Sequence, residues 1–213
     1  MTRVAFRVPA TASEAIRIQK RLRDRVVRRG KVAPRIVAGA DVSYKGDVAR
    51  AVIVVMRELE PVDQVIVDES VPFPYIPGLL SFREIPPLLS AWKKIRIRPD
   101  VIIVDGHGIA HPRRFGIASH LGLLLGVPTV GCAKSRLCGE YEEPGPRRGS
   151  WSSLTHRGEI IGAALRTREG CSVVYVSIGH RIGLASAISV VLACAPRYRL
   201  PEPQRLADRL TKQ

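Results

Sequence analysis

Apolar and polar positions along this chain follow two rhythms. Residues 35–44 (RIVAGADVSY), 49–57 and 64–71 are short, β-branched runs, and they predict three strands in succession. Lys45-Gly46-Asp47 between the first two is hairpin chemistry, so the three should form an antiparallel meander. Val101 to Val104 are four consecutive β-branched residues, with Pro-Asp before and glycines after, which predicts a strand buried on both faces. A helix over 115–125 and a second buried strand over 127–131 follow, in the order of a parallel strand–helix–strand unit. Residues 158–167 and 173–177 predict two further strands joined by a short turn. The helical rhythm covers 11–29, 78–94, 182–194 and a short stretch, PEPQRLADRL, in the tail 201–213.

Turn and cap chemistry sharpens some of these boundaries. In the first helix Thr11 or Ser13 serves as N-cap, Glu14 stands in the first turn, and Gly30 ends it. Ile16, Leu22 and Val26 face the core there, and Arg17, Lys20, Arg21, Arg25 and Arg28 face water or phosphate. In the second helix Ser81 is a candidate cap, while Pro86 and Pro87 fit either a helix beginning near them or a kink. Residues 72–77 (PFPYIP) form a rigid loop that presents Tyr75 between prolines. Residues 140–149, charged and rich in Pro and Gly, read as a mobile surface loop. Trp92 and Trp151 read as core aromatics, His120 as a helix-face histidine and His156 as a loop histidine.

At 213 residues, 46% hydrophobic and 25% charged, the chain is expected to form a single domain, 1–213, around one core. The net charge of +15 is the unusual quantity, and it points to a polyanionic partner, most simply nucleic acid. Of the 34 basic residues seven are lysines and 27 are arginines, whose planar fork suits phosphate oxygens. Cys132, Cys138, Cys171 and Cys194 are scattered without a C-x-x-C pair, as expected of buried hydrophobes in a reducing compartment. The first residues lack the apolar core of a signal peptide, and no apolar run reaches membrane-spanning length. A cytoplasmic, monomeric protein with no membrane partner is the expectation.

Four acids then stand out. Asp41 lies within the first strand, flanked by Ala40 and Val42, and an acid there is costly to bury unless it binds a cation or a base. Asp105 stands at the carboxyl end of the 101–104 strand, where open α/β sheets place ligand crevices, although Asp-Gly is also a common turn pair. Glu84 is on the second helix and Asp208 on the last. Three antiparallel strands followed by α-β-α-β is the element order of an RNase H-like fold, a mixed sheet flanked by helices, in which Asp41 and Asp105 would meet on neighbouring strands. Clustered carboxylates bind hard cations such as Mg²⁺, which can support phosphodiester hydrolysis. Lys134, just past the next strand, could neutralise a transition-state phosphate. A non-catalytic nucleic-acid-binding domain remains open on these residues alone. His107 and His111 have i,i+4 spacing, but Gly106, Gly108 and Pro112 oppose a regular helix, so no zinc site is expected.

Several separate blocks resemble the endonuclease V family: VAGADVSY with Asp41, PFPYIPGLLSFRE with Glu84, DGHGIAHPRRFGIASHLG with Asp105, GCAKSRLCG with Lys134, then VSIGHRIGLASA and EPQRLADRL with Asp208. The resemblance covers most of the chain. It implies an RNase H-like fold and hydrolysis supported by Mg²⁺, with Mn²⁺ able to substitute. It further implies cleavage of DNA or RNA at the second phosphodiester 3′ to a deaminated base, inosine, leaving 3′-hydroxyl and 5′-phosphate ends. By position, Asp41, Glu84 and Asp105 resemble the metal ligands, and Asp208 the fourth polar member of the site. Tyr75, within Pro74, Ile76 and Pro77, resembles the wedge that fills the gap left by an extruded base. Leu80, Gly106 and Ile117 resemble the base pocket, and His111 a substrate-side residue. Ile178 departs from the family, where Pro is frequent, which bears on local loop geometry. The PYIP and DGHGIAHP blocks speak against a structure-specific nuclease of the same fold.

Overall fold

The computed structural model describes residues 5–213. Its centre is one eight-stranded sheet in the order β3-β2-β1-β4-β5-β8-β7-β6. β1 (Ile36–Lys45), β2 (Val48–Arg57) and β3 (Glu60–Ser70) form the expected meander, with β1 antiparallel to β2 and β2 to β3. β4 (Val101–Val104) lies parallel to β1, and β5 (Thr129–Ala133) lies parallel to β4. β8 (Val174–His180) returns antiparallel to β5 and carries β7 (Glu159–Leu165) and the edge strand β6 (Trp151–His156) beyond it. This is the mixed sheet of an RNase H-like fold, extended by an antiparallel hairpin.

Every residue of β4 is buried, and its alternating side chains feed two cores. Val101 and Ile103 pack with β5, β8 and α4 (Leu184–Ala193) on one face. Ile102 and Val104 pack on the other with α2 (Leu80–Lys94) and α3 (Ile117–Leu125). α5 (Glu202–Thr211) covers the remaining face of β1 and β2, where Ala207 meets Val52, Val54 and Met56. Among the described residues no helix is long and apolar enough to cross a membrane.

Tertiary packing overrode local signals at several points. α1 (Ala12–Leu22) is capped by Thr11, whose Oγ1 accepts from the Glu14 N–H at 3.2 Å, but it stops seven residues short of the predicted end. One 3-10 turn (Arg23–Arg25) follows, and the chain then runs extended because the loop after β8 captures it: Arg181 N–H donates to Val27 O at 2.7 Å and Gly183 N–H to Gly30 O at 2.8 Å. α2 continues through Pro86 and Pro87, held by Phe82, Ile85, Leu88 and Ala91 buried along its length, and Ser81 is a buried helix residue instead of its cap. The β6 strand was not foreseen, since WSSLTH buries only Leu154 and shows little alternation. As an edge residue Trp151 is 48% exposed, which corrects its assignment to the core. His120 is buried within α3, whose residues 117–124 are all buried, its ring against Phe6, Phe82 and Phe115. The 140–149 loop is pinned by Arg166, which donates to Gly145 O, Pro144 O and Glu143.

Candidate active site

β1, β4 and β5 lie side by side, and each delivers one residue near the carboxyl end of β4. Asp41 is in β1, Asp105 directly follows β4 with its N–H donating to Ala40 O at 3.0 Å, and Lys134 directly follows β5. Helices from opposite faces complete the group, with Glu84 from α2 and Asp208 from α5. Gly39 makes the second approach possible. A Cβ there would lie 2.1 Å from the Pro203 carbonyl, so only glycine lets the start of α5 rest on β1. From that seat α5 carries Asp208 toward Asp41, and Ser43 Oγ donates to Thr211 O at 2.6 Å, tying its far end to the same strand face.

Carboxylate oxygens of Asp41, Asp105 and Asp208 all lie within 4.8 Å of one another. Lys134 Nζ bridges Asp105 at 2.6 Å and Asp208 at 2.5 Å, and Lys212 Nζ reaches Asp208 at 2.7 Å. Glu84 stands outside that trio but close enough to feel Asp41 and Asp105. Its burial, then those two charges, hold its carboxyl well above the usual range. Burial first, then Asp105, push Asp41 up to about 7, against the opposing pull of Lys134. Asp208 goes the other way, because its ion pairs with Lys134 and Lys212 outweigh its burial.

The donor set fits a divalent cation. Hard cations take carboxylate oxygens, and three are presented within a radius one ion can span. Asp41 and Glu84, raised by burial and by like charge, are carboxylates that a nearby cation would stabilise as anions.

Beside the carboxylates is a cleft of about 400 Å³ lined by Tyr75, Pro77, Leu80, Gly106, His107, His111 and Ile117, with Lys134 at its metal-site end. Gly106 sits at φ +142°, and a Cβ on it would come within 2.7 Å of the Ile117 side chain, so its backbone forms a wall no other residue could. Tyr75 is 69% exposed at the mouth. Pro74 and Ile76 flank it in the loop but do not line the cleft. His111 is buried, its Nε2 2.9 Å from Gly78 O, and burial with Arg113 nearby lowers it to about 4, which keeps the ring neutral. A larger apolar groove of about 1030 Å³ lies at the opposite end of β1, between Ile36, Met56 and Val190, and none of the site carboxylates or the cleft-lining residues borders it.

Against known proteins, a family model described as Endonuclease V matches residues 19–209. The chain belongs to the endonuclease V family. The endonuclease V of Roseiflexus sp. (strain RS-1) is 52% identical over 205 residues, covering 95% of this chain and 92% of that protein. The crystal structure of endonuclease V from Streptomyces avermitilis superposes with a TM-score of 0.93 at 44% identity, covering 99% and 95% of the two chains. A more distant member, endonuclease V of Ciona intestinalis, superposes with a TM-score of 0.80 at 28% identity, covering 94% and 95% of the two chains; that protein was solved in complex with a 24-mer DNA containing an inosine followed by a ribo-adenosine.

Some participants lay outside the residues singled out from sequence. Thr211 Oγ1 lies 3.2 Å from Asp41 Oδ2, and Lys212 pairs with Asp208. Their i+3 and i+4 spacing from Asp208 was a readable signal that one helix face carries all three. Tyr44 lies under Arg83, 4.5 Å from ring centroid to guanidinium, and close enough to Glu84 to be influenced by its charge. Gln19, from α1, also lines the cleft, and no sequence pattern marked it.

Proposed function

We propose that this chain is a divalent-metal-dependent endonuclease that recognises inosine in DNA or RNA and hydrolyses the second phosphodiester on its 3′ side, leaving 3′-hydroxyl and 5′-phosphate ends. The observation that carries this reading is the adjacency of the Asp41–Asp105–Asp208 trio to a base-sized cleft, joined through Lys134. Membership of the endonuclease V family and the inosine-containing DNA held by the Ciona relative support the choice of lesion.

In this reading Asp41 and Asp105 hold the ion, with Asp208 and Glu84 completing or orienting the set. Mg²⁺ is the proposed ion, with Mn²⁺ able to replace it, because both take oxygen donors. When bound, such an ion activates the hydrolytic water and stabilises charge on the phosphoryl and leaving oxygens. Lys134 offers an ammonium to the scissile phosphate from the boundary between metal site and cleft. A duplex base must leave the stack to be read, and exposed Tyr75 is placed to occupy the gap. Hypoxanthine differs from adenine by a carbonyl and a ring N–H, which fixed backbone groups around Gly106 can discriminate by hydrogen bonding. The basic surface, at +15 overall, holds the phosphates and makes binding salt-sensitive.

The test is cleavage of matched inosine-containing and undamaged DNA and RNA, single- and double-stranded, with Mg²⁺ and with chelator. Metal-dependent cutting on the 3′ side of inosine is expected. Equal cutting of undamaged strands, or undiminished cutting in chelator, contradicts the reading.

A further inference from the structure

One carbonyl in the cleft wall receives an unusual number of donors. Gly78 O, between the Tyr75 loop and α2, accepts from Gln19 Nε2 at 3.0 Å and Arg113 NH2 at 2.7 Å, and lies 2.9 Å from His111 Nε2. The side chain that organises this cluster is Gln19, 1% exposed, on α1 and outside every chemical motif of the chain. Its Nε2 also donates to Phe115 O at 3.1 Å, and its Oε1 accepts from Arg113 Nε. Both amide protons and the amide oxygen are therefore used, and only one orientation satisfies all three, since two carbonyls cannot donate to an oxygen.

The two carbonyls belong to two separate segments that both contribute to the cleft lining. Gly78 leads into Leu80 on one side, and Phe115 leads into Gly116 and Ile117 on the other. A single amide thus ties the segment that follows Tyr75 to the segment that leads into Ile117, whose side chain a Cβ on Gly106 would meet. Arg113 and His111 fasten the same point from a third segment, with His111 Nδ1 accepting from the Arg113 N–H at 3.1 Å. Buried, fully satisfied polar networks specify geometry at high cost if one member is removed.

We infer that Gln19 is a positioning residue for base recognition, its amide setting the spacing between the Gly78 and Phe115 walls of the cleft. This rests on the reading of that cleft as the base pocket. The hydrogen bonds of Gln19 go to Gly78, Phe115 and Arg113 and none goes to the carboxylates, so its loss should act on recognition and leave general strand binding alone.

The test compares wild type with Gln19→Met, which keeps shape and removes all three hydrogen bonds, and Gln19→Asn, which keeps the amide but is too short to bridge both walls. Three quantities are read: kcat/KM on an inosine strand, Kd for an undamaged strand, and hydrogen exchange over 78–81 and 115–118. The expected result for either variant is a fall of about tenfold or more in kcat/KM, the scale of one lost hydrogen bond. Faster exchange in both segments should accompany it, with Kd for the undamaged strand unchanged. Unchanged kcat/KM overturns the inference, and so does a parallel loss of undamaged-strand binding, which would mark a general folding defect. If Gln19→Met does not fold, Gln19→Asn decides by the same readings. Absence of inosine preference in the wild type would instead sink the base-pocket reading itself.

Discussion

Asp41 is the residue at which stability and chemistry pull hardest against each other. Burial and the Asp105 charge lift its carboxyl from 3.8 to about 7, so the folded protein holds that proton more tightly than the unfolded chain does. A carboxylate raised in this way costs stability in full above about pH 7, and the cost fades as pH falls toward its unfolded value. Asp41→Asn should therefore melt later than wild type at pH 8 in chelator, by on the order of 2 kcal/mol, less than the shift alone implies because Asn keeps the burial. Near pH 4 the advantage should vanish, and excess Mg²⁺ at pH 8 should stabilise wild type but not the variant. The buried histidines, with His111 and His180 lowered to about 4 and His120 to about 3, destabilise the fold as pH drops below 6.5. Both proteins share that loss, so the difference between their melting curves reads Asp41 together with the relief its removal gives Glu84. A variant less stable than wild type at pH 8 would contradict the assignment of strain to this carboxylate.

Among elements, α5 makes a close backbone approach to the sheet that one glycine permits. Its start rests on Gly39, and its body carries Asp208 and Thr211 to the carboxylate cluster. Gly39→Ala would drive a methyl into the Pro203 backbone, which cannot give as a flexible side chain can. The expected outcome is a loss of about 1–3 kcal/mol, the usual range for overpacking, together with reduced cleavage at temperatures where the variant stays folded. Denaturant titration and a cleavage assay on the same sample check it, and wild-type values for both would show that α5 has another seat. Elements also mark what the sequence could and could not disclose. Val101 to Val104 and the meander were legible because buried β-branched runs have few alternatives, and Asp41 and Asp105 were legible as acids where apolar runs exclude them. β6 was not, because an edge strand with one buried residue carries almost no periodicity. The early stop of α1 is set by the loop after β8, more than 150 residues away, and nothing local announces it. Gln19 lies within an ordinary amphipathic helix, and only the fold reveals that its one buried amide reaches two loops. Trp151 misled because large aromatics are usually covered, and here it lies at the sheet's edge.

On the scale of the whole molecule, a chain of net charge +15 holds one small cluster of carboxylates. Arg17, Lys20, Arg21, Arg23, Arg28 and Arg29 are exposed along and after α1, while Asp41 from β1, Asp105 after β4 and Asp208 from α5 cluster at one point. Such a division separates two tasks, since spread arginines can bind phosphates anywhere and the carboxylates can act at one place only. Binding and cutting should therefore come apart when one central acid is removed. The most direct measurement is Asp105→Ala, read for affinity and for Mg²⁺-dependent cleavage on the same inosine-containing strand. Affinity should stay within about twofold of wild type, because the basic surface and the cleft walls remain, while cleavage should fall about a thousandfold or more. Substantial Mg²⁺-dependent turnover by Asp105→Ala would contradict the account at its centre.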